Sequence, residues 1–206
     1  MTTITQPRMT PTATRILATA ERLFYDHGLR AVGVERIADE ADTTKKTIYD
    51  RFGSKDGLIT AYLRTRCDRW HEHVTTYLAE HHPAPGEDRV VAVLRALDDW
   101  MSTNTRGCGF VNAYAELAGT GHAGLPIIVE EKAWTLDLYV RLLDELGVPD
   151  AARRGRELAL VHEGAVVQMT AGDQPGAMDD ALSLVGRLVS DAVAARDLVD
   201  PVGSAS

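Results

Sequence analysis

The chain reads as all-α, with a small N-terminal three-helix domain followed by a larger helical domain. Three observations lead there. Apolar residues recur three and four positions apart along most of its length, and no long run alternates with period two. Eight prolines and seventeen glycines fall mostly at the ends of those apolar runs, where helices stop. Of 206 residues, 45% are hydrophobic, which allows one large helical domain or a small domain joined to a larger one. The spacing predicts about nine helices. It divides the chain into a disordered arm over 1–11, a first domain over 12–58, a second over 59–198 and a flexible tail over 199–206.

The first helix can start at Thr12 or Thr14. Ile16, Leu17, Ala20, Leu23 and Phe24 form its buried stripe, and Gly28 ends it. Val34, Ile37, Ala38 and Ala41 then repeat at helical spacing and make a short second helix. Asp42, Thr43 and Thr44 prefer turns and caps and break that pattern. The tight turn needs a residue that tolerates positive φ, and Asp42 is one of the few alternatives to glycine. Thr44 caps a third helix over 45–52, with Ile48 and Phe52 on its buried face and Lys45, Lys46, Thr47 and Tyr49 opposite. Two short helices joined this way make a helix-turn-helix, whose second helix enters the DNA major groove. Gly53, Ser54, Lys55 and Asp56 follow as helix stop, N-cap, cation and anion. Lys55 beside the free N–H groups of a new helix makes a phosphate clamp. Asp50 has the wrong charge for this face and is expected to be solvated or paired with Arg51.

Residues 41–58 resemble the DNA-binding signature of the TetR family of transcriptional regulators. Ala41, Lys45, Thr47, Tyr49, Phe52, Ser54, Lys55 and Leu58 match the family pattern. Thr44 and Ile48 are close substitutes, while Asp42, Thr43 and Lys46 depart from it. Upstream, Phe24, Gly28, Val34, Ile37 and Ala38 also fall where that family has them, so the resemblance covers about residues 12–66. It implies a homodimer that binds palindromic double-stranded operator DNA, with Thr43, Thr44, Lys45, Lys46, Thr47, Tyr49 and Lys55 as the contact set. Lys46 stands on the exposed face and is expected, with Thr47, to read bases. Thr44, Tyr49 and Lys55 are expected to hold phosphate.

Beyond this head the apolar stripes continue. A fourth helix over 54–79 turns Ile59, Tyr62, Leu63, Cys67, Trp70, Val74 and Tyr77 inward, and residues 81–86 break it. A fifth over 87–104 buries Val90, Val93, Leu94, Leu97, Trp100 and Met101, and a short sixth covers 109–118. Pro126 stands in the first turn of a seventh over 125–146, which Gly147 stops. The eighth covers 150–171, with Leu158, Val161, Ala165, Val166 and Met169 apolar and Gly164 allowing close approach. The ninth covers 177–196, with a stripe of Met178, Ala181, Leu182, Val185, Leu188, Val189 and Ala192. From the residues alone these last two stripes are either domain core or a dimer interface built as a four-helix bundle. The resemblance implies the dimer, through the last two helices.

The net charge is −8, unevenly spread. Residues 1–66 hold eleven Lys/Arg against eight Asp/Glu, a net of +3, and residues 67–206 hold eleven against twenty-two, a net of −11. Local cations at the head serve affinity, while the acidic remainder discourages nonspecific DNA contact and disfavours an anionic effector unless Arg106 or Arg141 pairs with it. No apolar run approaches a membrane span and the N-terminus has no signal core, so the expected location is the cytoplasm, with no membrane partner. Two cysteines, Cys67 and Cys108, make neither a disulfide framework nor a zinc site.

Several constellations bear on chemistry. The glycines at 119, 121 and 124 match G-x-G-x-x-G, but a helix rather than a strand precedes them, so a helix–helix loop is the better reading. Asp68, His71 and Glu72 lack metal-ligand spacing. No cofactor, metal or catalytic residue is expected. Residues 106–116 are more informative: within a helix, Cys108, Asn112 and Glu116 form a polar stripe beside Phe110, Tyr114 and Leu117, and part of this stretch resembles a subset of TetR-type effector domains. Polar groups in an aromatic wall suit a small-molecule pocket. Trp100, Phe110, Tyr114, Trp134 and Met169 are the candidate wall, with Asn112, Glu116 and His162 as polar anchors; an ordinary wet helix face is the alternative. His162 on an apolar helix can equally be a satisfied core or interface residue, and Cys108 near Arg106 can be a redox sensor. The expected protein is a transcriptional repressor released from DNA by a small-molecule effector. The alternatives are a helical enzyme with a DNA-binding appendage and a ligand-independent DNA-binding protein.

Overall fold

The computed structural model describes residues 9–199, with side chains to residue 196. The expected arm over 1–11 and tail over 199–206 therefore lie outside the described residues, except for residues 9–11 and 199. Among the described residues there are nine helices: α1 (Pro11–His27), α2 (Val34–Glu40), α3 (Lys45–Phe52), α4 (Lys55–His81), α5 (Glu87–Met101), α6 (Gly109–Leu117), α7 (Leu125–Glu145), α8 (Ala151–Thr170) and α9 (Ala177–Val199). The all-α expectation is met, with a three-helix head at the N-terminus. No described helix is long and apolar enough to cross a membrane.

These helices fall into two compact units. One runs to Arg66 and takes in Gly109–Ile128; the other comprises Cys67–Cys108 and the chain from Val129. The sequence placed residues 109–128 with the second domain, whereas here α6 and the loop after it group with the head. The residues of α4 are divided between the units at Arg66.

In the head unit, α1 starts one residue earlier than expected. Thr10 accepts a hydrogen bond from the Ala13 amide at 3.3 Å, and Pro11 occupies the first turn, where its missing N–H costs nothing. All five residues of the expected α1 stripe are buried, as are Ile37 of α2, Ile48 of α3 and Leu58, Tyr62 and Leu63 of α4. Phe24 and Tyr62 meet with ring centroids 5.7 Å apart. Phe52 is only half-buried, so Ile48 alone fills the inward face of α3.

The second unit has one continuous core. In α5 the stripe is wider than one face, because Val91, Ala92 and Ala96 are buried as well. On α4, Leu78 is buried while Tyr77 packs half-exposed against the core. α9 packs against both α5 and α8. The close approach of α7 and α8 uses Gly155, where an added Cβ would stand 2.6 Å from a Val140 methyl carbon. Gly164, the expected contact glycine, faces open space. Gly147 at φ +67 ends α7, and Asp150 at φ +56 precedes α8.

Candidate nucleic-acid interface

The α2–α3 turn is built from local and distant hydrogen bonds. Asp42 takes φ +47, as the sequence required. The Thr43 amide donates to the Ala38 carbonyl at 2.9 Å and the Asp42 amide to the Asp39 carbonyl at 3.3 Å, the pattern of a Schellman stop with aspartate in the left-handed position. Arg15 of α1 locks it from outside: Nε donates to the Ala41 carbonyl at 2.8 Å and Nη2 to the Asp42 carbonyl at 3.3 Å. Nothing local in the sequence marks Arg15 for this task, because it lies 26 residues from its partner.

Thr44 caps α3, its hydroxyl oxygen accepting from the Thr47 amide at 3.1 Å and lying 2.9 Å from the Thr47 hydroxyl. Ile48 points inward with no exposure, which fixes the rotation of the helix. The solvent face then carries Thr44, Lys45, Lys46 and Tyr49, all exposed, with Thr43 and Thr47 half-buried. Two of its cations are already paired. Lys45 Nζ lies 2.6 Å from Glu35 Oε1, and Lys46 Nζ 2.7 Å from Asp50 Oδ2. The Glu35 hydrogen bond holds the Lys45 ammonium above the usual lysine range, and Lys45 in turn holds the Glu35 carboxyl low. Asp50 was expected in water or with Arg51. It pairs with Lys46, because residues four apart share a helix face and adjacent ones do not.

Gly53 at φ +76 stops α3, its N–H donating to the Tyr49 carbonyl at 2.8 Å. Ser54 caps α4, accepting from the Gly57 amide at 3.0 Å. Gly57 is obligatory: an added Cβ would stand 2.0 Å from the Phe52 carbonyl oxygen. Lys55 is half-buried in the first turn of α4, and its Nζ lies 3.5 Å from the Arg30 carbonyl. Burial pulls its ammonium below the ordinary lysine range, against the opposing pull of Glu116 and Asp56.

The candidate effector residues separate into two groups. Phe110 (buried), Asn112 (half-buried), Tyr114 (52% exposed) and Glu116 stand on α6, in the head unit. The Glu116 carboxylate is engaged there, accepting from the Leu29 amide at 2.8 Å and the Arg30 amide at 2.7 Å. Trp100, Trp134, His162 and Met169 belong to the second unit. Trp70, which the sequence assigned only to core, joins two of them: its ring lies 5.6 Å from Trp100 and 6.1 Å from His162. Trp134 stacks on His71 at 3.8 Å, and Met169 packs against the core. His162 is buried, 3.2 Å from the Tyr139 hydroxyl, and burial lowers its pKa to about 4, which keeps the ring neutral.

Cys108 precedes α6 and so drops out of the expected polar stripe. Lys132 Nζ lies 3.5 Å from its thiol sulfur. Lys132 also meets Glu163 at 2.7 Å and Glu131 at 3.2 Å. Burial alone would lower the Lys132 ammonium; Cys108, Glu131 and Glu163 outweigh it and push it up. Neither cysteine forms a disulfide, and no group of three metal-ligating side chains exists among the described residues. The glycine loop over 118–124 follows a helix, so the strand that a dinucleotide site needs is missing at that place.

Comparison with known proteins gives this geometry a family. The family model described as bacterial regulatory proteins of the tetR family matches residues 16–62, which span α1 to the first turns of α4. A TetR-family transcriptional regulator from Streptomyces coelicolor superposes with a TM-score of 0.81 and 32% identity, covering 88% of this chain and 96% of that one. A TetR regulator from Legionella pneumophila, at a TM-score of 0.75 and 14% identity over 88% of this chain and 98% of its own, shares the fold. Among curated proteins, the transcriptional activator FasR of Mycolicibacterium smegmatis is 29% identical over 45% of this chain. That match spans 42% of the relative's own length. The regulator YjdC of Escherichia coli is 24% identical over 81% of this chain and 87% of its own. With the helix-turn-helix in place and a relative of this identity covered almost end to end, the chain belongs to the TetR family of transcriptional regulators.

Proposed function

We propose that the protein is a homodimeric repressor that binds a palindromic operator and is released by a small apolar or aromatic molecule. The observation that carries the reading is the solvent face of α3. Its inward side is fixed by Ile48, and its outward side offers Lys45, Lys46, Thr47 and Tyr49 beside Lys55 at the start of α4. Lys46 and Thr47 read base edges, Lys46 reaching guanine O6 and N7. Thr44, Tyr49 and Lys55 hold phosphate, with Thr43 and Lys45 at the margins of the contact. The two ion pairs on this face are no obstacle. Exposed pairs are weak and screened by salt, and a phosphate or guanine can take the place of Glu35 or Asp50.

The dimer forms through α8 and α9. Beyond the stripes that enter the core, α8 leaves Leu160 75% and Val167 51% exposed, with open space at Gly164 between them, and α9 leaves Leu184 37% exposed. A groove of about 420 Å³ runs there, lined by Val161, Gly164, Ala177 and Leu184 among others. Leu160 and Val167 at i and i+7, with Gly164 at i+4 between them, suit helix-on-helix packing with a second copy.

The effector site draws on Trp100, Trp134, His162 and Met169, with Trp70 and Tyr139 beside them. A buried neutral histidine and aromatic rings suit a neutral, flat ligand. Release is a population shift: the ligand binds the DNA-incompetent state more tightly, by a coupling of about 1–3 kcal/mol. α4 transmits it, since its residues belong to both units. Linkage makes the test reciprocal. Titration calorimetry of a releasing ligand, with and without saturating operator, gives weaker ligand binding when DNA is present, by the factor with which the ligand weakens DNA binding. Equal ligand affinity in both titrations contradicts the mechanism. FasR is named an activator, so the sign of regulation is read separately, from a reporter placed behind the selected operator: deletion of the regulator raises expression for a repressor and lowers it for an activator.

A further inference from the structure

We propose that Glu116 is a positioning residue for DNA binding: through its carboxylate α6 holds the α1–α2 turn in place and, with it, Arg30 and Lys55. This deepens the DNA-binding reading above and rests on it. The geometry is that of a built receptor. Glu116 Oε1 accepts from the Leu29 amide at 2.8 Å and Oε2 from the Arg30 amide at 2.7 Å, 87 and 86 residues away in the chain. Arg30 Nη2 returns a third bond, donating to the Glu116 carbonyl at 2.7 Å. Bonds from N–H to a carboxylate are charge-assisted and roughly twice as strong as neutral ones.

The backbone before the two amides is shaped for this approach. Gly28 takes φ +90, where side chains are strained, and an added Cβ would stand 2.9 Å from Glu116 Oε1. From Arg30 the chain of contacts runs on to the head, since the Arg30 carbonyl lies 3.5 Å from Lys55 Nζ. Lys55 is the candidate phosphate contact, and the turn leads straight into Val34, where α2 begins. Glu116 therefore fixes two things at once, the start of the helix-turn-helix and the place of a phosphate-binding cation. Leu117 and Phe110 bury α6 within the same unit, so the carboxylate is presented from a fixed helix.

The test uses the full-length protein and the operator that the wild type selects from random DNA. Glu116→Ala should weaken operator binding about tenfold or more, with loss at every operator position alike. Glu116→Gln keeps the shape but sets an NH2 against one of the two donors, and should fall between wild type and alanine. In a Lys55→Ala background, Glu116→Ala should cost markedly less than alone, because part of its effect runs through the placement of Lys55. Both variants are measured at a temperature where circular dichroism shows full helicity; if the alanine variant does not fold, the glutamine variant decides. A residue that only stabilises the fold lowers the melting temperature and leaves operator affinity and its salt dependence unchanged in the folded variant. That result, or full additivity with Lys55→Ala, overturns the proposal. A wild-type protein that enriches no sequence overturns the DNA-binding reading itself, and this inference with it.

Discussion

On the proposed reading, Lys46 and Lys55 divide the chemistry of DNA recognition at the level of single residues. Lys46→Ala should cost roughly 1–3 kcal/mol on the cognate site and relax preference at one position per half-site. Lys55→Ala should weaken all sequences alike and flatten the dependence of affinity on salt. Equal losses on cognate and random DNA from both changes would contradict that division. His162 gives a second test, in stability. Its pKa falls from 6.5 in the unfolded chain to about 4 through burial, so between those values the unfolded chain binds the extra proton. Its contribution is complete above about pH 6.5 and is lost as the pH falls toward 4, at most about 3 kcal/mol. Glu131, which burial pushes up, works in the opposite sense, so the wild type is compared with His162→Gln, which keeps an acceptor for Tyr139. The stability difference between the two should change across pH 4.5–6.5 in denaturant melts; a constant difference contradicts a buried neutral ring. Residues whose task is local were legible in the sequence. Asp42, Thr44, Gly53 and Ser54 each do what their own dihedral or hydroxyl dictates. Arg15, Gly57 and Gly155 were not, because their reason lies in a partner that only the folded chain brings near. Glu116 looks like a ligand anchor in the sequence for the same reason: its spacing on a helix carries no trace of Leu29 and Arg30.

At the level of elements, helical periodicity placed α2, α3, α6, α7 and α8 and the starts of α4, α5 and α9 within a residue of where they lie. It placed the ends less well, because a cap can be any of several polar residues and only packing chooses one. α3 shows what an eight-residue helix needs: a cap, one fully buried side chain and a stop glycine. Isolated, it would not hold, since helices so short are marginal in water. Ile48→Ala should therefore cost about 2–5 kcal/mol and remove DNA binding together with head stability. Gly57→Ala should do the same through the 2.0 Å clash with the Phe52 carbonyl, at the α3–α4 turn. Differential scanning calorimetry checks both. α8 makes the opposite case. The sequence could not tell core from interface along this helix, because both are apolar; the fold separates them, with Leu158, Ala165 and Val166 inside and Leu160 and Val167 outside. Leu160→Glu with Val167→Glu should give a folded monomer by analytical ultracentrifugation. A dimer that survives both charges contradicts the proposed interface.

For the whole molecule, the charge asymmetry is the simplest guide. A head of net +3 over residues 1–66 is weakly basic, and one copy makes few phosphate contacts. Two copies joined by a two-fold axis double those contacts and turn the site into an inverted repeat. The acidic remainder, net −11, limits binding elsewhere. In the proposed dimer, symmetry is where affinity, the outward face of α3 and the apolar face of α8 and α9 come together. The measurement that reaches it most directly is selection of bound duplexes from a random pool by the wild-type protein, with sequencing of the enriched pool. The account predicts an inverted repeat, its half-sites read by two copies of α3; with Lys46→Ala selected in parallel, the repeat persists and base preference is lost at one position in each half-site. Enriched sites without inverted symmetry would contradict it.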